Sequence, residues 1–474
     1  MTPIKFGTDG WRAVIADQFT FDNVARVTAA TVAWLQEAYG DSPRVVLGYD
    51  TRFESRAFAE HAARVFGTEG VRVILADSIT TTPAVSLATL EMGCNAGIVI
   101  TASHNPPQYN GYKIKADFGG PAAPSVIAAV EQRIPDFYLG PGELQPFSSL
   151  VEQGIIELHD VTGDYLRTLA QRLDVQAISD SGIRLAHDAM YGAARGLVSR
   201  LLKPGMVVEL RSELNPGFMG QAPEPIDKNL QSLAQTVVSE GCAVGLANDG
   251  DGDRIGMFDE EGRFVDSHQM LALLVKYLHE ERGMIGDVVK TFSTTHLLDR
   301  MGEAYNLHVE TTPIGFKYIG TRFVDGDVLV GGEESGGMAV KGHIPERDGI
   351  YIGLLIVEMM VKRGKKLSEL VQELYDEFGP HIARRSDVHT TEEKKQKVLA
   401  RLDGGGLSRI SGRVVERVDT LDGYKHVMPD GWLLVRPSGT EPVLRVYAEA
   451  ASAEEADGII QDALQQLGIA DGAH

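Results

Sequence analysis

Ala243-Val244-Gly245-Leu246-Ala247-Asn248-Asp249-Gly250-Asp251-Gly252-Asp253-Arg254 (residues 243–254) reads as a short apolar strand that opens into aspartates alternating with glycines. A strand that delivers a polar, glycine-rich loop is the signature of an open α/β sheet, whose ligands sit beyond the carboxyl ends of the strands. Working outward, Ile183 to His187 and Val207 to Leu210 read as further strands of this block, and Leu230 to Glu240 as its helix.

The same arrangement occurs on either side. Upstream, Val45 to Asp50, Val71 to Leu75 and Ala96 to Ile100 read as strands, Pro83 to Met92 as a helix, and the last strand runs into Thr101-Ala102-Ser103-His104-Asn105-Pro106. Downstream, Val288 to Phe292, His308 to Thr311 and Val328 to Gly331 read as strands. The last of them delivers Gly332-Glu333-Glu334-Ser335-Gly336-Gly337, and a long apolar helix is expected over Ile350 to Met360. Beyond Gly379 a polar helix, strands over Arg413 to Val418, Trp432 to Val435 and Val443 to Glu449, and a helix over Ala453 to Leu467 read as a small α+β domain carrying Arg436-Pro437-Ser438-Gly439-Thr440-Glu441-Pro442. The expected architecture is α/β with four domains. Three similar mixed α/β domains with largely parallel sheets (1–150, 151–254 and 255–370) place strand-end loops around one cleft, and an α+β domain follows (371–474).

Composition narrows the function. With 45 Lys and Arg against 66 Asp and Glu, the formal charge is −21, which disfavours nucleic acid or anionic lipid as a partner. An anionic substrate in a local basic pocket is compatible with that charge. No apolar run is long enough to span a bilayer, and the first ten residues lack the apolar core of a signal peptide, so a cytoplasmic location is expected. Cys94 and Cys242 have no metal-ligand spacing and are expected buried and reduced.

Asp249, Asp251 and Asp253 can converge on one point because the intervening glycines let the backbone turn sharply, and hard carboxylate oxygens suit Mg²⁺ or Ca²⁺. An EF-hand would need a ligand pattern running to position twelve, Glu260, but Ile255-Gly256-Met257-Phe258 interrupts it. A solvated acidic turn is the plain alternative. Ser103 lies between a strand and a turn, so its hydroxyl is expected at a sheet edge facing the cleft, although an isolated Ser-His pair is more often a capping turn. The absence of a Gly-x-Ser-x-Gly elbow, and the difficulty adjacent Ser and His side chains have in meeting, disfavour an esterase. Arg436, two hydroxyls and glycine-permitted backbone N–H groups make a cradle for a phosphate, or else a plain turn. Glu333 and its neighbours offer acceptors for sugar hydroxyls.

Taken together, the four loops resemble those of the α-D-phosphohexomutase family, in the family's order and over essentially the whole chain. The resemblance implies a phosphoserine at Ser103 and Mg²⁺ at Asp249, Asp251 and Asp253, with Ser103 counted among the ligands. It implies sugar contacts from Glu333, Ser335, Gly315 and Lys317, and a phosphate site of Arg436, Ser438, Gly439 and Thr440. Lys5-Phe6-Gly7-Thr8-Asp9-Gly10-Trp11-Arg12 looks like the family's start and implies that Arg12 reaches the site; Asn110-Gly111-Tyr112-Lys113 implies a basic residue beside the reacting hydroxyl. Arg12, Arg254 and Lys113 are then the expected charge stabilisers. Lys113 and His104 are candidates for acid–base steps, the lysine requiring a lowered pKa.

The implied reaction interconverts hexose 1-phosphate and hexose 6-phosphate through a 1,6-bisphosphate, with glucose 1,6-bisphosphate as activator and a monomer or dimer as the working form. Glu334, Gly337 and the stretch Thr312-Pro313-Ile314-Gly315-Phe316-Lys317 lean toward glucose. Phosphomannomutase, phosphoglucosamine mutase and phosphopentomutase specificities are the alternatives. Where mannose-tolerant and glucosamine-type members carry a histidine this chain has Gly337, for which His343 is the candidate substitute. A metal-dependent sugar phosphatase and a non-catalytic sugar-phosphate binder are the rival classes.

Overall fold

The structure is a computed structural model that describes residues 4–7, 9–138, 144–438 and 442–469. The chain divides into two units. One runs to Met270 and includes Gly315–Ser368; the other comprises Leu271–Ile314 and the chain from Glu369 onward, so the expected third block is shared between them.

In the first unit a six-stranded sheet runs in the order Trp11–Val14, Tyr109–Ala116, Ala96–Ile100, Arg44–Tyr49, Arg72–Ala76, Ile156–His159. Its centre is buried on both faces. Ala96–Ile100 has every residue buried, and each buried Val or Ile contributes about 1.5 to 3 kcal/mol relative to exposure. Helix Thr82–Glu91 starts where the Thr81 hydroxyl accepts the Ala84 N–H. A five-stranded sheet follows in the order Phe264–Val265, Ile255–Phe258, Val244–Asn248, Leu185–Asp188, Val207–Leu210. The first sheet thus takes in a strand beyond residue 150, and the second continues past residue 254 to Val265.

Parallel pairing alone does not describe these sheets. Ala96–Ile100 is paired in parallel with Arg44–Tyr49, yet the chain that leaves it returns antiparallel as Tyr109–Ala116. Val244–Asn248 likewise returns as Ile255–Phe258, and Val328–Gly332 as Met338–Val340. Each candidate loop of this unit is therefore a reversal between antiparallel strands, beside the parallel pairings of a mixed sheet. The returning strands escape sequence reading because they are short or carry Lys113 and Lys115 at inward positions where alternation predicts apolar residues. Helix Gly349–Arg363 is capped by Asp348, whose side chain accepts the Tyr351 N–H, and ends at Gly364 with φ +61°.

In the second unit Asp287–Thr291 and Val309–Thr312 pair in parallel. A separate antiparallel sheet runs Ile382–His389, Val443–Ala450, Gly431–Pro437, Tyr424–Met428, Arg417–Asp419, with helix Ala453–Leu467 over it. The expected strand over Arg413 to Val418 is two pieces, Arg413–Val414 in a small hairpin and Arg417–Asp419 on the sheet edge. Cys94 and Cys242 are buried free thiols. Among the described residues, no helix is long and apolar enough to cross a membrane.

Candidate active site

Ser103 follows the end of an interior strand, Ala96–Ile100, rather than a sheet edge, and it is 1% exposed. Its φ of +51° is left-handed, a conformation that costs a non-glycine residue on the order of 1 kcal/mol or more and persists only where neighbours impose it. The neighbours are visible. The Ser103 N–H donates to Thr101 Oγ1 at 2.9 Å, and its carbonyl accepts from Arg52 at 2.6 Å. The same buried guanidinium also donates to the carbonyls of Asn105, Pro106 and Tyr109, so one side chain holds four carbonyls of this loop.

The Ser103 hydroxyl donates to Asp249 Oδ2 at 2.7 Å. Gly250 permits this approach, because a Cβ there would lie 2.4 Å from the Ser103 carbonyl oxygen. Asp249, Asp251 and Asp253 are wholly buried and offer carboxylate oxygens within 4.8 Å of one another. Burial, followed by the charges of Asp253 and Asp251, holds the Asp249 carboxyl well above its ordinary value. Oδ1 of Asp251 and Oδ1 of Asp253 are buried with no hydrogen-bond partner. Clustered, orphaned, hard oxygens of one charge fit a divalent cation that prefers oxygen ligands.

Lys113 Nζ lies 2.8 Å from Asp251, 3.1 Å from Asp253 and 2.8 Å from Asp9. Burial alone would depress its pKa, but Asp251, Asp253 and Asp9 outweigh burial and raise it above the ordinary lysine value. Lys113 therefore lacks the lowered pKa that an acid–base role would require, since three carboxylates hold it as an ammonium. Asp251 shows the converse: burial would raise it, yet Lys113 and the Thr82 hydroxyl bring it below the ordinary value.

His104 does meet Ser103, with Nδ1 3.2 Å from Oγ, contrary to the expectation for adjacent side chains. The left-handed turn at Ser103 is the feature an extended reading lacks. Burial first, then Arg254, Arg12 and Lys113, hold His104 well below its ordinary pKa, so the ring is neutral. Arg12 donates to Asn105 Oδ1 at 2.7 Å, which brings it to the serine loop. The Arg254 N–H donates to Asp249 Oδ1 at 3.0 Å, and its side-chain Nε is buried without a partner, a donor suited to an anion.

Arg254 also joins the aspartate loop to the Glu333 loop, bridging Gly337, while the Ile255 N–H donates to Gly336 at 3.1 Å. Glu333 is buried, and burial pushes its carboxyl up to about 7 against the opposing charge of Arg347. Ser335 is half-buried on the same loop. Gly337 has a steric cause: a Cβ would lie 2.4 Å from Arg347 Cδ, so the arginine fills the space a side chain would need. Arg347 reaches Asp9 at 2.6 Å and Asp253 at 2.9 Å. His343 is no substitute for a histidine at 337, being bound to Asp348 and Arg172, both at 2.8 Å, and stacked on Tyr351. Gly315 caps helix Phe316–Asp325 at φ 132°, and Lys317 lines a cavity of about 160 Å³ with Gly7, Asp9 and Pro121.

In the second unit, Arg436 Nε donates to Asp422 Oδ1 at 2.9 Å. The Ser438 N–H donates to Val443 at 2.9 Å and its carbonyl accepts Lys395 Nζ at 2.8 Å, fixing the end of strand Gly431–Pro437. Gly439 and Thr440 lie outside the described residues.

Four family models match nearly end to end. Residues 3–137, 163–262 and 266–378 match the phosphoglucomutase/phosphomannomutase α/β/α domains I, II and III, and 386–466 match the C-terminal domain of the same family. The chain belongs to the α-D-phosphohexomutase family. It is 31% identical to a phosphoglucomutase/phosphomannomutase of Thermococcus kodakarensis over 95% of each chain. It is 30% identical to a phosphoglucosamine mutase of Erythrobacter litoralis, covering 98% of this chain and 97% of that one. A crystal structure from Thermus thermophilus, named as that of a putative phosphomannomutase, superposes with a TM-score of 0.86 at 36% identity, covering 98% and 99%. The chain is thus a four-domain enzyme of phosphoryl transfer within a sugar phosphate.

Sequence reading missed several residues that the structure gathers at this candidate site. Arg52 follows strand Arg44–Tyr49 in a polar turn, Asp50-Thr51-Arg52, which could have been noticed as another strand-end loop. Arg347 stands in Glu346-Arg347-Asp348, a charged triplet directly before an apolar helix, and Asp9 in the opening stretch from which only Arg12 was singled out. Lys115 Nζ, buried against Glu346 at 2.6 Å, left no signal beyond breaking the alternation of its strand.

Proposed function

We propose that this phosphohexomutase interconverts α-D-glucose 1-phosphate and glucose 6-phosphate through a phosphorylated Ser103 and glucose 1,6-bisphosphate, with Mg²⁺ at the aspartate loop. The observation that carries the reading is the Ser103 hydroxyl held against a buried, orphaned carboxylate cluster. Phosphoserine 103 gives its phosphoryl group to the free sugar hydroxyl: the bond from phosphorus to the serine oxygen breaks as the sugar ester forms, and the hydroxyl's proton passes to the freed serine oxygen. The bisphosphate turns over, and its other phosphate returns to Ser103, regenerating the phosphoenzyme and releasing the isomeric monophosphate. Asp249, Asp251 and Asp253 would hold Mg²⁺, which when bound draws charge from a phosphoryl oxygen. Arg12, Arg254, Arg347 and the ammonium of Lys113 spread positive charge around the transferring group. Neutral His104, beside Ser103 Oγ, can take and return a proton.

Glucose is favoured by Glu334, by the 312–317 stretch and by Arg347 filling the space beside Gly337. Mannose and glucosamine phosphates are the second reading, favoured by the names of the similar proteins from Thermococcus and Erythrobacter. The test is ³¹P NMR of glucose, mannose and glucosamine 1-phosphates, each primed with its 1,6-bisphosphate. Conversion to the 6-phosphate with little free phosphate, fastest for glucose, is the expected result. Predominant release of inorganic phosphate would replace the mutase by a phosphatase.

Glu333 makes sugar recognition depend on pH. Its carboxyl, raised to about 7, accepts sugar hydroxyls best when ionised, so kcat/KM should rise with pH through that value. The substrate's own phosphate titration is common to every variant, and Glu333→Gln should lose only the additional rise while changing the glucose-to-mannose preference. Identical profiles in the two proteins would remove Glu333 from sugar recognition.

Arg436 is assigned to the non-reacting phosphate. Asp422 engages Nε, leaving the terminal guanidinium nitrogens for the phosphate. Arg436→Ala should raise KM for every sugar phosphate alike, by the equivalent of about 1.5 to 3 kcal/mol for hydrogen bonds to a charged group. A change of sugar preference with KM untouched would contradict the assignment.

A further inference from the structure

Behind the aspartate loop lies a buried histidine that the reaction does not use. His187, on strand Leu185–Asp188, is 0% exposed. Its Nδ1 lies 3.0 Å from Glu209 Oε2, and its Nε2 lies 3.1 Å from Asn248 Oδ1. Asn248 ends the strand that delivers the loop, and its Nδ2 donates at 2.9 Å to the carbonyl of Arg254, the residue that closes the loop.

The chemistry of the partners fixes the orientation of every group. A backbone carbonyl only accepts, so the amide of Asn248 must turn its NH₂ toward Arg254 and its oxygen toward His187. On the other side of the ring, Glu209 is a carboxylate whose second oxygen accepts from the Ser199 hydroxyl at 2.6 Å. Both ring nitrogens therefore face acceptors. A neutral imidazole would set a lone pair against one of them, whereas an imidazolium donates to both.

We infer that His187 is a positioning residue that, as an imidazolium, locks Asn248 and through it both ends of the Asp249–Arg254 turn, preforming the metal site. Asn248 is hydrogen-bonded across the turn's mouth, and the Arg254 N–H donates to Asp249 Oδ1, so the three aspartates hang from a frame whose orientation His187 sets. The space is closed from below: a Cβ on Gly349 would lie 2.2 Å from the Arg254 carbonyl oxygen and 2.6 Å from Asn248 Nδ2. The charged groups around the ring agree. Glu209 faces it from strand Val207–Leu210, Asp188 adjoins it on its own strand and is itself paired with Arg211, and strand Val244–Asn248 presents only the neutral amide before the aspartates. Burial would depress the imidazole, but its bonds to Glu209 and Asn248 and the charge of Asp188 raise it.

This inference rests on the reading of the aspartate loop as a Mg²⁺ site, and two substitutions separate it from a purely structural role. Glu209→Gln keeps an oxygen for Ser199 and turns an NH₂ toward Nδ1, so a neutral ring can accept there and still donate to Asn248. Mg²⁺ affinity, measured by calorimetry on the full chain, should then stay within about threefold of the parent, the frame being intact. His187→Gln presents no such pair of donors, and Mg²⁺ affinity should fall about 10- to 100-fold, as for other residues that orient metal ligands. The direct readout is ¹⁵N NMR of labelled histidine. The His187 signals should report two protonated nitrogens at pH 7.5 in the parent and one in Glu209→Gln. One protonated nitrogen in the parent would overturn the inference even if His187→Gln failed to fold, and so would parental Mg²⁺ affinity in a folded His187→Gln. A parent chain that binds no Mg²⁺ would sink the metal reading, with the ring's protonation still decided by NMR.

Discussion

Ser103→Ala is expected to lower mutase turnover by several orders of magnitude, because the proposed covalent carrier of the phosphoryl group is removed from its place against Asp249. The fold should survive at a measurable cost. Ser103 is buried, and its hydroxyl satisfies Asp249; losing that donor leaves a buried carboxylate oxygen without its partner, at a cost of about 1 to 3 kcal/mol. Alanine also inherits the strain of φ +51°, which glycine does not. Ser103→Gly should therefore be as inactive as Ser103→Ala but closer to the parent in thermal midpoint. Peptide mass spectrometry of the parent should find phosphate on Ser103. Near-parental rates in Ser103→Ala, or phosphate mapped to Ser335 or Ser438 with Ser103 bare and activity full, would move the nucleophile elsewhere.

Asp251→Asn should produce the next largest effect. The substitution replaces one of the three proposed anionic ligands by a neutral amide, and a unit charge about 4 Å from another is worth roughly 4 kcal/mol at an effective dielectric of 20. Relief of repulsion among the aspartates offsets part of this, leaving an expected loss of Mg²⁺ affinity on the order of a hundredfold. Asp251 is also the partner of Lys113 and Thr82, so excess Mg²⁺ should restore only part of the rate. Titrating activity with Mg²⁺ after chelation by EDTA measures both effects. Full activity of the chelated parent, or an unchanged Mg²⁺ requirement in Asp251→Asn, would refute the assignment.

Both variants act on loops that are legible from neighbouring residues alone, and the reason is local. Asp-Gly-Asp-Gly-Asp, Thr-Ala-Ser-His-Asn-Pro and Gly-Glu-Glu-Ser-Gly each follow an apolar strand, and strand propensity, turn chemistry and ligand type are written within a dozen or so consecutive residues. The sequence by itself determined the α/β class, the order of the loops, and which serine and aspartates are the candidates for the chemistry. Only the tertiary structure decided that the Ser103 and aspartate loops meet at hydrogen-bond distance, that the strands beyond them return antiparallel, and that Arg52 clamps the serine loop in a left-handed turn. It also decided the charge of Lys113, because burial and three carboxylates from positions 9, 251 and 253 set that pKa together. Each of those positions lies more than a hundred residues from Lys113 along the chain, and electrostatic energy falls with distance in space, which a sequence does not record.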